Sequence, residues 1–186
     1  PICGTDLYGY LLNYASGADI SADNKNFKIA YKLSANSTYY LQVRHNNYSD
    51  MDYQNTGDYK IRLTKLTDAF GDSFETATVV DTKKLIKAGI EAINDIDFVK
   101  FVPSETSAYT IESFGGQNMY AQLYNDTKTR LAYDDNSSGD GRNFRIVYSL
   151  EEGKTYYLRL DERSSSFGEY AIAVYPGTDD HKNEIN

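Results

Sequence analysis

Few side chains in this chain of 186 residues could make or break a covalent bond. Its two histidines, His45 and His181, are far apart, and the single cysteine, Cys3, could form a nucleophile–base pair only with one of them. No Gly-x-Ser-x-Gly elbow, phosphate loop or dinucleotide fingerprint occurs. Paired acids can hydrolyse glycosides, but among 27 Asp and Glu no pair is singled out. The run Asp134–Asp135–Asn136 with Asp140 is rich in oxygen, yet it lacks EF-hand spacing and its Ser and Gly content reads as a hairpin loop. These residues predict a protein that is not an enzyme. Recognition is the chemistry left, and tyrosine is its natural carrier: there are 18 Tyr and no Trp. A Tyr ring offers a flat apolar face with a hydrogen-bonding tip, suited to a sugar ring or a peptide.

Charge narrows the partners. With a net formal charge of -8 and a pI near 4.7, the protein repels phosphate backbones. No Lys/Arg cluster longer than two residues offsets this, so nucleic acid is excluded and cations or neutral ligands are favoured. No apolar run reaches the roughly 18 to 20 residues of a membrane helix, and the N-terminus does not read as a signal peptide. One cysteine excludes an internal disulfide and any multi-cysteine zinc site.

The elements that position these residues come in repeats. NFKIAYKLSANSTYYLQV, from Asn26 to Val43, matches NFRIVYSLEEGKTYYLRL, from Asn143 to Leu160, at an offset of 117. Upstream, Gly4, Tyr8, Leu11 and Asn13 match Gly116, Tyr120, Leu123 and Asn125 at an offset of 112, which places five inserted residues within SSGDG of the second copy. Downstream, Gly57, Tyr59 and Ile61 match Gly168, Tyr170 and Ile172 at 111, leaving six extra residues in the first copy's NNYSDMDYQNT. The phase divides the chain into residues 1–66, the C-terminal part of one repeat, 67–177, a complete repeat, and 178–186, the opening of a third or a linker.

Within the complete repeat, short runs of period-two alternation are separated by Gly, Asn, Asp and Ser clusters. Strands are expected at Lys84–Ala88, Asp97–Val102, Ala108–Glu112, Met119–Asn125, Phe144–Leu150, Thr155–Asp161 and Glu169–Tyr175. That density predicts an all-β fold, an antiparallel β-sandwich with Greek-key or jelly-roll connections, used in tandem. Alternation assigns Phe144, Ile146, Tyr148 and Leu150 to the core, with Tyr156, Leu158 and Leu160, and then Tyr170, Ile172 and Val174. By the repeat, Phe27, Ile29, Tyr31 and Leu33, then Tyr39, Leu41 and Val43, then Tyr59, Ile61 and Leu63 are core as well. Tyr40, Tyr157 and Arg159 point outward, and Tyr48 and Tyr53 lie in the enlarged loop, so these five are the candidate ligand-binding residues. Outward Tyr pairs also stabilise sheets without binding anything.

Four pieces in order, TDAFGDSFETAT, AGIEAINDIDFVKF, LYNDTKTRLAYDDN and YSLEEGKTYYLRLDERSSSFGEYAIAVY, resemble the bacterial pre-peptidase C-terminal domain family, which includes the collagen-binding domains of clostridial collagenases. The resemblance covers 67–177 and implies a secreted or cell-surface bacterial protein in which the β-sandwich is an accessory module beside a peptidase or another exported enzyme. It also implies a candidate calcium site formed by Asp68, Asp72, Asp95 and Asp97, although Ala69 stands where the third opening has Asp180. The expected function is a non-catalytic extracellular module that binds a polymer, protein such as collagen or polysaccharide, or positions its parent's catalytic domain. The alternatives are a structural spacer or adhesin stalk without a ligand, and a carbohydrate-binding module that uses the exposed Tyr. Residues 1–66 would leave a sheet edge open, and that edge is expected to pack on the complete repeat or to self-associate.

Overall fold

The computed structural model describes residues 7–12, 15–17, 26–45, 58–164 and 166–177. The chain divides into two compact units, Pro1–Leu66 and Thr67–Asn186. No helix among the described residues is long and apolar enough to cross a membrane.

The second unit is a β-sandwich. Nine strands follow in order: β4 (Thr78–Val79), β5 (Leu85–Ile90), β6 (Ile96–Phe101), β7 (Ser107–Gly115), β8 (Met119–Tyr124), β9 (Arg130–Asp134), β10 (Arg145–Leu150), β11 (Tyr156–Glu162) and β12 (Gly168–Pro176). One sheet has the order β10-β7-β12-β5 and the other β4-β6-β11-β8-β9. Every pair in them is antiparallel except β4 with β6.

Alternation decides what lies between the sheets. Val99 and Phe101 of β6, Ala121 and Leu123 of β8, Leu158 and Leu160 of β11 meet Ile111 of β7, Ile146 and Leu150 of β10, and Ile172 and Val174 of β12 in one core. Burying a side chain of this size stabilises by about 1.5–3 kcal/mol each. Strand β12 departs from strict alternation, since Ala171 and Ala173 are buried beside Tyr170, Ile172 and Val174. It is flanked by β7 and β5 on both edges, and its small outward residues are covered by those neighbours. The sequence reading placed seven of the nine strands and omitted β4, which has two residues, and β9, an edge strand.

The first unit holds a three-stranded antiparallel sheet, β2-β1-β3, of β1 (Leu7–Leu11), β2 (Ala15–Gly17) and β3 (Leu41–His45). Its predicted core is not closed. Tyr59, Ile61 and Leu63 are exposed, Leu63 by 86%, Leu33 and Leu41 are exposed too, and Phe27, Ile29, Tyr31, Tyr39 and Val43 are half-buried. The physical reason is pairing: residues 58–66 join no strand among the described residues of this unit, so no facing sheet covers them. The five residues that the sequence alignment inserts within SSGDG lie elsewhere. Leu11 faces Ala15 across the β1–β2 turn, whereas Leu123 faces Ala132 across the β8–β9 turn, so the extra length is in that turn and not in SSGDG.

Candidate metal centre

Three local structures bring carboxylates to one end of β6. The opening loop is pinned first: the Gly71 carbonyl accepts a hydrogen bond from Phe98 N at 2.7 Å, and the two residues form an isolated antiparallel bridge. A Cβ on Gly71 would lie 2.1 Å from the Thr76 carbonyl oxygen, so only glycine permits this approach. Just before it, Asp68 turns its Oδ1 to accept from Phe70 N at 2.9 Å, while Phe70 enters the core. Just after it, Phe74 packs edge-on against Phe98, Tyr124 and Tyr157 at 4.8, 5.1 and 5.3 Å. Lys128, from the enlarged β8–β9 turn, lies over the Phe74 ring at 5.2 Å and pairs with Glu75.

The second structure is the β5–β6 connection. Asp95 N donates to the Ala92 carbonyl at 3.2 Å, and Asn94 supplies the left-handed turn at φ 66° that Asn tolerates better than most residues. The Asp95 carboxylate folds back to accept from Glu91 N at 3.0 Å and from Ile96 N at 3.1 Å. The third is Asp97, which occupies an inward position of β6 and accepts from the Tyr170 hydroxyl of β12 at 2.6 Å. Asp95 and Asp97 are both buried.

The result is a cluster of Asp68, Glu91, Asp95 and Asp97 with one carboxylate oxygen of each within 4.8 Å of the others. Two of the cluster's buried oxygens, Glu91 Oε2 and Asp97 Oδ1, have no hydrogen-bond partner. Unpartnered buried acceptors are costly, and a bound cation is one way to satisfy the two of them. Four oxygens within 4.8 Å of one another are close enough to share one metal ion. Without a cation the acids resist ionisation. Burial, opposed by the Tyr170 hydrogen bond and reinforced by Asp95 and Asp68, raises Asp97 to about 8. Burial, with the Asp95 hydrogen bond and charge, raises Glu91 to about 7. Burial, reinforced by the charge of Asp97, pushes the Tyr170 hydroxyl well above its ordinary value.

Of the metal residues expected from the sequence, three come together, and Asp72 stands outside the group, exposed. Glu91 takes the fourth place. Its signal was the spacing Glu91, Asp95, Asp97 in EAINDID, which the reversal at Asn94 folds into one site. Gly71→Ala is expected to displace Asp68 and to weaken calcium binding at least about tenfold, with a lower melting temperature, measured by calorimetry with and without calcium.

The Asp134–Asp140 run serves as loop scaffolding. Asp134 accepts from Ser137 N, Ser137 Oγ and Arg145 N, and these bonds hold its carboxyl below the ordinary range against the effect of burial. Asp140 is held low chiefly by Arg142 N and by the side chain and N–H of Asn143. Asn143 is itself buried, accepts from Ser113 Oγ at 2.8 Å and donates to the Gly115 carbonyl at 3.1 Å. Asn143→Ala strands these partners, and urea denaturation is expected to show a loss of about 1–3 kcal/mol.

The ligand residues are scattered. Tyr40 is 68% exposed in the first unit, and Tyr48 and Tyr53 lie outside the described residues. Tyr157 does sit on the outer face of the five-stranded sheet, but Phe74 covers it and it is half-buried. Arg159 is on the same face, paired with Asp161. Sequence reading missed Tyr133, 62% exposed on edge strand β9 opposite Gln122, with Arg130 over its ring at 5.1 Å. The alternation in RLAYD was its signal.

No family model matches the chain, and no curated protein matches it. Solved structures similar to it include the pre-peptidase C-terminal domain of collagenase from Bacillus anthracis, at 20% identity and a TM-score of 0.44 over 53% of this chain and 93% of that one. They also include a periplasmic inhibitor of g-type lysozyme from Aeromonas hydrophila, at 14% identity and a TM-score of 0.39, over 53% of this chain and 95% of the other.

Proposed function

We propose that residues 67–177 are a calcium-clamped, non-catalytic β-sandwich module of a secreted or cell-surface bacterial protein. The observation that carries this reading is the four-carboxylate cluster with its two unpartnered buried oxygens. Asp68, Glu91, Asp95 and Asp97 would hold the ion, which would tie the opening loop and the β5–β6 connection to the sandwich. Tyr170 orients Asp97 from the opposite sheet. Calcium supplies charge neutralisation there. Calorimetry in excess calcium and in chelator tests the clamp: the melting temperature is expected to rise with calcium, and coincident curves would remove it.

The module's ligand is a polymer, and the outer face of the five-stranded sheet is the surface offered to it. Tyr133, Gln122 and Arg159 lie in cross-strand register along that face. Retention on insoluble collagen, cellulose, xylan, starch or mucin is the measurement, and Tyr133→Ala is expected to lower retention about tenfold with folding intact. No retention on any matrix would leave the second reading, a spacer or adhesin stalk. The covering of Tyr157 by Phe74 favours that reading, because it turns one predicted contact residue into internal packing.

A further inference from the structure

The outer face of the five-stranded sheet gathers cations on a chain whose net formal charge is -8. At its outward positions Lys100 of β6, Arg159 of β11 and Arg130 of β9 stand against one acid, Asp161 of β11. Just beyond β11, Arg163 adds a fourth cation, its guanidinium 3.9 Å from the centre of the Tyr120 ring. Tyr120 tilts against Tyr133 at 6.3 Å, and Arg130 lies 5.1 Å over the Tyr133 ring. The four side chains form a ladder of guanidinium, ring, ring and guanidinium that crosses from the end of β11 over β8 to β9. A guanidinium stacked on a ring keeps its in-plane N–H donors free to meet a carboxylate as a fork. Arg130 and Arg163 are both exposed, and among the described residues neither side chain donates a hydrogen bond.

At the β11 end the ladder meets a cleft of about 270 Å³, whose lining includes Ile90, Ile93, Ile96, Arg159, Asp161 and Arg163. Arg159 pairs with Asp161, and the charges of Arg159 and Arg163 oppose the rise that burial imposes on the Asp161 carboxyl. One carboxylate facing two guanidiniums leaves N–H donors for another. The other acids of the lining are engaged elsewhere: Glu162 accepts from Ser164 N and Ser166 N, and Asp95 from Glu91 N and Ile96 N. Main-chain addition of a peptide along β9 is hindered at one end, where Asp134 accepts from Arg145 N of β10. Recognition therefore falls to the face. There an exposed phenol ring offers stacking, and the guanidiniums beside it offer charge-assisted hydrogen bonds to carboxylates.

We propose that the ladder and the cleft bind an acidic polysaccharide, a chain of uronic acid sugars, with Tyr133 stacked on a sugar ring and Arg130, Arg159 and Arg163 on its carboxylates. This rests on the polymer-binding reading of the same face, to which it adds the class of polymer, and not on the calcium reading. A neutral sugar would leave the guanidiniums unused, and an acidic peptide would leave the Tyr133 ring without a flat partner.

Affinity electrophoresis of the full chain in gels containing polygalacturonate, soluble starch or polyglutamate is the test. Polygalacturonate is expected to bind at least about tenfold more tightly than either of the others, with retardation that weakens as salt is raised. Arg163→Gln and Arg130→Gln, both at exposed positions, are each expected to weaken that binding about tenfold. Lys87→Gln removes an exposed cation from the outer face of the other sheet and is expected to leave it unchanged. Equal retardation by polyglutamate, or an equal loss in Lys87→Gln, would overturn the proposal, because charge alone would then account for binding. Retention on starch, cellulose or collagen with none on polygalacturonate also overturns it and leaves the polymer-binding reading standing. Retention on none of them removes both.

Discussion

In chelator, the melting temperature of the second unit should fall as the pH is raised from 5 to 8, and saturating calcium should abolish the fall. Asp97 is raised from 3.8 to about 8 and Glu91 from 4.5 to about 7, in both cases with burial as the leading cause. A carboxyl whose folded pKa is raised holds its proton more tightly in the folded state. Its stabilisation is complete below the unfolded pKa and is lost as pH climbs through the folded one. For Asp97 the window runs from about 4 to about 8, at about 1.4 kcal/mol per pH unit, so on the order of 4 kcal/mol disappears between pH 5 and 8. In a unit of this size that is a drop of 10 °C or more, on the order of several degrees per kcal/mol. Asp134 and Asp140 carry the opposite sign, since their carboxyls are held low, and they act below about pH 4. Calcium reverses the trend because it binds the ionised acids and displaces their protons, so its affinity rises with pH. At a thousandfold excess over its dissociation constant it adds about 4 kcal/mol. Reading the difference between calcium and chelator at each pH cancels the two histidines. A difference that does not grow from pH 5 to 8 would show that these carboxylates do not bind the ion.

Most of the sandwich was legible because its strands place apolar residues inward at every second position, as Ile146 and Leu150 do in β10, Leu158 and Leu160 in β11, and Ile172 and Val174 in β12. The rule failed where pairing overrides composition. TyrLysIleArgLeu at 59–63 alternates as well as its counterpart in β12, yet its side chains are exposed, because a strand needs neighbours that local sequence does not supply. Strand β9 gives only a weak signal, because Arg130 and Asp134 bracket a short edge whose residues are at most half-buried. The site was partly legible. Asp97 announces itself as a carboxylate at an inward position between Asp95 and Val99, whereas Glu91 reads as the solvated end of β5 until the turn at Asn94 is formed. Tyr157 was correctly assigned to the outer face, but a ring from a loop more than eighty positions upstream, Phe74, covers it.

Asp97→Asn should separate the clamp from the fold by moving stability in opposite directions with and without calcium. The amide is nearly isosteric with the acid and can still accept from the Tyr170 hydroxyl, so packing between β6 and β12 is retained. It cannot ionise, and the cost of a charge at a fully buried position is removed. In chelator at pH 8 the variant is therefore expected to melt above the parent, by an increment approaching the several kcal/mol that the parent loses between pH 5 and 8. In calcium the order inverts. One anionic oxygen has been taken from a set of four carboxylates, and the affinity should drop on the order of a hundredfold, so the calcium-induced rise in melting temperature disappears at moderate ion concentrations. A merely structural Asp97 would give another pattern: loss of stability in both conditions, with the calcium response unchanged. A variant that melts lower in chelator, yet gains as much from calcium as the parent, would exclude Asp97 as a ligand. The paired measurement keeps the outcome readable even if packing around Tyr170 loosens, because the calcium increment is taken within one variant.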